Sequence, residues 1–286
     1  MKYLTRITTF GLLALSGIAL AGCASSSPSP VSTIAADCQP AWKFDTLTPG
    51  VLSVAAINGM PKLLVSEGEG AGDGIDGKLI DDFAAEACLT VEWHPLTGAA
   101  ALQNIQDGRV DMLGGVLIKT PPRAEVMNLT TGFYVHEAVG ITSKDEVKTV
   151  DQLQGKTVGV QAGAFFVPAL QAAIGADNVK EYQTSDATFK DLEAGRIDAV
   201  AATSLEGNYY VSSHPDAGFK SGPLADDPKY ADLTKLYDVT WGTRLGHDDV
   251  TSAVDSFYTQ AREDGTIAKV VESFGLDSNF YVEGTR

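Results

Sequence analysis

The chain has 286 residues, with 21 basic against 37 acidic side chains and a net charge of −16. So acidic a surface repels phosphate backbones, and no basic patch offsets it, which disfavours nucleic acid as a partner. The length is more than one hydrophobic core usually organises and is comfortable for two.

From the N-terminus, Lys2 and Arg6 precede an apolar stretch from Phe10 to Ala21, closed by Leu20-Ala21-Gly22-Cys23. A charged start, a short apolar run and a small-residue cleavage site read as a secretory signal over residues 1–22, too short for a spanning helix. The cysteine at the cut resembles a bacterial lipobox, whose thiol is acylated and becomes the new N-terminus. Cys23 is therefore expected to carry lipid and to tether the protein to a membrane without crossing it. No other run approaches the roughly 18 apolar residues that a span needs. Cleavage removes Lys2 and Arg6, leaving 21 − 2 = 19 basic against 37 acidic residues, a charge of −18. Residues 24–36 are Ser, Pro, Ala and Thr with almost no charge. That composition cannot bury a core, so residues 23–36 read as a flexible tether.

Cys38 and Cys88 are the remaining thiols. In an oxidising compartment two such thiols pair, and the bridge would pin the N-terminal segment to the first helix. Zinc ligation has no further Cys or nearby His at ligand spacing. The body then alternates short apolar strands with amphipathic helices. Val51 to Ile57 reads as a strand, Leu79 to Ala87 as a helix with apolar Leu79, Ile80, Phe83, Ala84 and Ala87, and Val91 to His94 as another strand. Such alternation argues for α/β architecture. An internal echo reinforces it. Ile105-Gln-Asp-Gly108-Arg109-Val110-Asp111 returns as Leu192-Glu-Ala-Gly195-Arg196-Ile197-Asp198. Each copy reads as a helix stopped by a left-handed glycine and followed at once by a buried strand. Two similar α/β units therefore stand in tandem.

Several stretches resemble the type 3 periplasmic solute-binding proteins of polar amino-acid ABC transporters. Asp76-Gly-Lys-Leu-Ile-Asp-Asp-Phe83 resembles the family's turn into its first helix. Gly108-Arg-Val-Asp111 followed by Thr120-Pro-Pro-Arg123 resembles its Thr-x-x-Arg signature. Asn128 to Tyr134 resembles the run to the hinge, Leu153 to Gly163 the opening of the second lobe, and Asp264 to Lys269 the closing helix. The resemblance implies a two-lobed periplasmic binding fold of type II. Each lobe is then a mostly parallel sheet flanked by helices, and two hinge strands join them near Val135–Val139 and Leu236–Val239. Lobe 1 would be 37–138 plus 239–286, and lobe 2 would be 139–238, with ligand in the cleft at the strand ends and closure by hinge bending.

In such a family Arg123 is the residue expected to fork onto the solute's carboxylate, with Thr120 at the family spacing. Backbone near Leu117 and Ile118 is expected to line the same wall, with Asn58 at the end of the first strand. On the facing lobe a helix is expected to begin at Phe165 or just before it, so that Gly163 and Ala164 offer free N–H groups to the same anion. Three departures stand out. Thr203 takes the place, five residues after Asp198, where the family usually carries an aspartate for an α-ammonium group, and Glu206 could substitute. Gly59 and Gly98 stand where aromatic rings often sandwich the ligand. Phe165 and Phe166 are bulky where small or polar residues are common. A solute larger or less zwitterionic than a standard amino acid is therefore admitted.

Other motifs carry no chemistry. Gly155-Lys156-Thr157 lacks the first P-loop glycine, Val150 standing there, and it precedes a strand. Gly68 to Gly74 is glycine-rich but acidic, and Asp73 and Asp76 lack calcium-loop spacing. His94, His136, His214 and His247 are scattered. Trp42, Trp93 and Trp241 read as packing residues. No cofactor and no metal are implied. The resemblance implies a solute-binding subunit of an ABC importer, acting as a monomer with permease subunits and a separate ATPase. A few relatives on this fold eliminate water or carbon dioxide from cyclic acids, which keeps a dehydratase or decarboxylase as the alternative.

Overall fold

The structure, a computed structural model, describes residues 34, 37–57, 72, 74–132 and 134–284. The expected signal peptide, Cys23, the tether apart from Ile34, Asn58, Gly59 and Asp73 lie outside the described residues.

The first sheet grows from β1 (Val51–Ile57), α1 (Ile75–Glu86), β2 (Thr90–Leu96), α2 (Gly98–Gln106) and β3 (Met112–Ile118). Residues Leu52 to Ala56 form a continuous buried run, as expected of a strand covered on both faces. Helix α1 buries Ile75, Leu79, Ile80, Phe83 and Ala84, the helical spacing that the sequence carries. Thr97 caps α2 by accepting from the Ala100 N–H at 3.4 Å. A short α3 (Pro121–Ala124), β4 (Asn128–Leu129) and β5 (Val135–Glu137) follow.

The second sheet holds β6 (Val139–Ser143), β7 (Val158–Gln161), α4 (Val167–Ile174), β8 (Val179–Tyr182), α5 (Ser185–Glu193), β9 (Ala199–Thr203), α6 (Ser204–Ser213) and β10 (Lys220–Pro223). After α7 (Ala231–Thr234) the chain returns to the first sheet as β11 (Tyr237–Thr243), and α8 (Asp248–Glu263), α9 (Thr266–Ser273) and α10 (Ser278–Tyr281) close it. The strand orders are β2-β1-β3-β11-β4, with β5 on β11, and β10-β6-β9-β7-β8. In each sheet three parallel strands (β2, β1, β3 and β8, β7, β9) are extended by antiparallel ones.

The two echoed segments occupy equivalent places. Gly108 and Gly195 end their helices at φ 66° and 67°, where an L side chain would be strained. The Asp111 N–H donates to the Ser53 carbonyl and the Asp198 N–H to the Thr157 carbonyl, both at 2.9 Å. The carboxylates return the contact, Asp111 accepting from the Ser53 N–H at 3.0 Å and Asp198 from the Thr157 N–H at 2.7 Å. They differ in depth. Asp111 is buried and adds the Ser53 hydroxyl at 2.8 Å and Arg244 at 3.1 Å, whereas Asp198 is exposed.

Cys38 and Cys88 are joined by a disulfide. It fixes an N-terminal strap on α1, where the Ala41 N–H donates to the Glu86 carbonyl at 2.8 Å and Trp42 stacks on Phe83 at 5.5 Å. Trp241 is fully buried in the same aromatic cluster, with its indole N–H on Asp76 at 3.1 Å, so it packs instead of facing a cleft. No helix among the described residues is long and apolar enough to cross a membrane.

At the first crossing, Glu137 is fully buried between β5 and β6. One carboxyl oxygen accepts the N–H groups of Ala138 and Ser204 at 2.8 Å each and the Ser204 hydroxyl, while Leu205 donates at 3.3 Å. This carboxyl thus serves the orphan donors at the start of α6. Burial pushes it up to about 7 against the opposing pull of those bonds.

Candidate functional site

A cavity of about 120 Å³ opens where the C-terminal ends of β7 and β9 face the end of β3 and α3. Strand ends are where open α/β sheets place their ligands. The volume is a little below the ~150 Å³ cavity that accepts a benzene ring, so it suits a group of that scale at the end of a small molecule.

From the first sheet, Ile118 and Arg123 reach the wall. Pro121 and Pro122 fit the first turn of α3 because its opening N–H groups need no partner. That turn carries Arg123 back over β3, where one guanidinium nitrogen donates to the Ile118 carbonyl at 2.6 Å. The side chain is half-buried, and burial alone lowers its pKa from the usual arginine range. Among the described residues no carboxylate forms an ion pair with it. A guanidinium has five N–H donors in a planar fork, so most of them remain for an anion.

The other expectations for this wall divide. Backbone was expected from Leu117 and Ile118: the Ile118 carbonyl does meet Arg123 at the wall, and the Leu117 side chain packs in the core on the other face of β3. Thr120 caps α3 through its backbone, its carbonyl accepting from the Arg123 N–H at 3.1 Å, and it does not line the cavity. Gly98 opens α2 with Ile57 nearest to it.

Gly163, Ala164 and Phe165 do line the cavity, as part of the turn after β7. The helix begins later than the sequence suggests, at Val167, because Pro168 suits its second position and Gly163 at φ 79° first reverses the chain. The Ala164 N–H is spent on the Gln161 carbonyl at 3.2 Å and is not available to an anion. Phe165 packs against both main apolar clusters, meeting Tyr237 edge-on at 4.5 Å and Phe166 at 5.2 Å. Apolar contact therefore bridges the two halves beside the cavity.

Thr203 and Glu206 meet in the same cavity from the start of α6. The Thr203 hydroxyl is occupied as helix cap, accepting from the Glu206 N–H at 3.3 Å. Glu206 is 9% exposed, and its Oε1 has no hydrogen-bond partner. Burial pushes its carboxyl up to about 7, with a smaller opposing pull from Ser185. The Ser185 hydroxyl itself donates to Gln161 Oε1 at 3.1 Å. Gln161, Ser185, Thr188 and Phe189 also line the cavity and were not singled out from sequence. Gln161 is the last residue of β7 and Ser185 opens α5 just after β8, so the rule of ligands at strand ends would have pointed to them. Among the described residues no cluster of His, Cys, Asp and Glu could hold a metal ion.

With this geometry in hand, a sequence model of the bacterial extracellular solute-binding proteins, family 3, matches residues 52–277. The strap with Cys38 precedes that range. A Bacillus subtilis protein, YxeM, described as a probable amino-acid-binding protein, is 24% identical over 205 residues, 70% of this chain and 75% of the relative. The histidine-binding periplasmic protein of Escherichia coli is 27% identical over 225 residues, 73% and 80% of the two chains. Among solved structures, the ancestral amino-acid-binding protein AncCDT-1, a precursor of cyclohexadienyl dehydratase, is similar with a TM-score of 0.65 at 20% identity. That likeness covers 79% of this chain and 95% of the other.

Proposed function

The chain belongs to the bacterial extracellular solute-binding proteins of family 3, and from that premise we propose that it is the capturing subunit of an ABC importer for a small, carboxylate-bearing, amino-acid-like solute. The observation that carries this reading is Arg123, a half-buried cation on a cavity wall with no acidic partner among the described residues. Such a group is costly to bury alone and is stabilised by an anion that forks onto it. Relatives named for binding amino acids support the same reading.

On this account residues 37–138 with 239–286, and residues 139–238, act as two lobes that close on the solute by bending at Ala138 and before β11. A solute shifts that balance only by binding the closed form better. A permease and a separate ATPase take the loaded monomer. Lipid on Cys23 holds the protein outside the cell, and Cys23→Ser should move it from membrane to soluble fractions. The likeness to a dehydratase precursor is one of fold alone and brings no activity to this chain.

The test is a thermal-shift screen of amino acids, betaines, opines and aromatic acids, each beside its decarboxylated counterpart. A ligand at about 100 times its Kd adds about 2.7 kcal/mol of stability. The reading requires a carboxylate that stabilises while its decarboxylated partner does not. Stabilisation by the decarboxylated members alone would sink it.

A further inference from the structure

The last helix of the chain is bonded to the helix whose first turn lines the cavity. Tyr281 of α10 is 2% exposed, and its hydroxyl accepts from the Asn208 amide of α6 at 3.0 Å. The same hydroxyl lies beside Ser204 and close to the Glu137 carboxyl at the first crossing. Ser204, Leu205 and Asn208 share one face of α6, being four and three residues apart. Leu205 belongs to the core cluster of the first sheet together with Tyr281 and Val282, and Tyr209 packs against that cluster. One face of α6 is therefore held by the first half of the protein, while Thr203 and Glu206 give its first turn to the cavity.

Tyr281 is fixed to that first half and cannot follow α6 if the helix moves. Asp277 caps α10 by accepting from the Asn279 N–H at 3.0 Å, and α10 packs on β5 and α9. Arg262 of α8 donates to the Val282 carbonyl at 3.0 Å and to the Tyr134 carbonyl at 3.3 Å, tying the end of α10 to the entry of β5. The family model ends at residue 277, so α10 lies beyond the range shared with the family. Ser204 is bonded to Ala138 and Glu137 at the crossing itself, each at 2.8 Å, and is placed to act as a pivot. Asn208 stands about 6 Å farther along the helix and moves more for the same rotation. Ile118 and Arg123 line one cavity with Gly163 and Phe165 of the other half, so the Asn208–Tyr281 bond belongs to the closed arrangement.

We propose that Tyr281 and Asn208 form a latch on closure: their bond is made in the closed arrangement and broken when α6 swings away. The two are positioning residues that hold the cavity wall in place and set how long the solute stays, and neither lines the cavity. The inference rests on the reading of two halves closing on a solute, and it names the part of the chain that keeps them closed. A bond present in one of two states shifts their balance by its own strength, and one net hydrogen bond is about a 2- to 12-fold shift. Since the latch is absent from the open form, it leaves capture alone and slows release.

The full chain is compared with Tyr281→Phe, Asn208→Ala and the double variant. The probe is whichever of L-glutamine, L-arginine and L-leucine binds the wild type most tightly by calorimetry. Stopped-flow fluorescence separates association from dissociation, small-angle scattering follows compaction, and urea unfolding follows stability. Each single variant should bind about 2- to 12-fold more weakly, with the loss in the dissociation rate and association within about twofold of wild type. The double variant should bind no more weakly than the weaker single, because one shared bond is lost only once. A merely structural role would lower the urea midpoint and leave dissociation unchanged. Folded variants that release the probe within about 1.5-fold of the wild-type rate, tighter binding, or losses that add in the double variant would overturn the latch. Compaction of the wild type with unaffected variants removes the latch alone, whereas a wild type that does not compact at saturation removes the closure reading with it. Binding of none of the three amino acids would remove the solute reading and the latch together. Asn208→Ala carries the test by itself where Tyr281→Phe does not fold.

Discussion

Replacing Glu137 by Gln should flatten the dependence of stability on pH. The Glu137 carboxyl is fully buried at the crossing between the sheets, and burial pushes it from 4.5 to about 7. The folded protein therefore holds this proton more tightly than the unfolded chain. Its stabilising contribution is fully present below pH 4.5 and is lost as pH rises through 7. A gap of 7 − 4.5 = 2.5 units corresponds to about 3 kcal/mol at full development. Between pH 5 and pH 8 the wild type should lose about 2–3 kcal/mol relative to Glu137→Gln, whose amide cannot ionise yet keeps an oxygen for the α6 N–H groups. Urea unfolding at half-unit pH intervals measures this, with m held equal as the check that both proteins unfold alike. A difference between the two proteins that stays constant within about 0.5 kcal/mol, well under the shift worked out above, would refute the reasoning.

The echoed aspartates should respond unequally. Asp111→Ala strands Arg244 and the Ser53 donors in a buried site and should cost about 3–5 kcal/mol, while exposed Asp198→Ala loses one backbone hydrogen bond, about 0.5–1.5 kcal/mol. Equal costs in urea titrations would contradict the difference in depth. Reducing the Cys38–Cys88 bond, whose cysteines are 50 residues apart, should lower unfolding stability by up to about 4 kcal/mol on loop entropy. No change in the urea midpoint with reductant would mean that the strap holds without it.

Much of the fold was legible because its signals are local. The apolar run of β1, the spacing of α1 and the two Gly-Arg-hydrophobic-Asp strings each depend on residues near one another in sequence. The wall of the cavity was legible at Arg123, Thr203 and Glu206, which sit at strand or helix ends. At Leu117 and Ile118 the expectation concerned backbone alone, and only tertiary packing says that the Leu117 side chain faces the core. The helix after β7 was placed too early because the reversal at Gly163 and the constraint of Pro168 were given too little weight. Glu137 was invisible, since its partners Ser204 and Leu205 lie 67 and 68 residues away. Glu206 stood in the sequence as a substitute for the family's aspartate, while its burial and its unpartnered Oε1 are visible only in the structure.

The account depends most on Arg123 as the seat of a carboxylate. Titration calorimetry of wild type, Arg123→Lys and Arg123→Ala, with the acid that gives the largest thermal shift, tests it directly, after circular dichroism has checked the fold. Truncating one member of a buried charge pair costs about 2–5 kcal/mol, so Arg123→Ala should bind roughly 30-fold to several-thousand-fold more weakly. Arg123→Lys should also bind more weakly than wild type, because a point charge cannot reproduce the fork. A folded Arg123→Ala protein that binds within about threefold of wild type, only about 0.65 kcal/mol, would contradict the account.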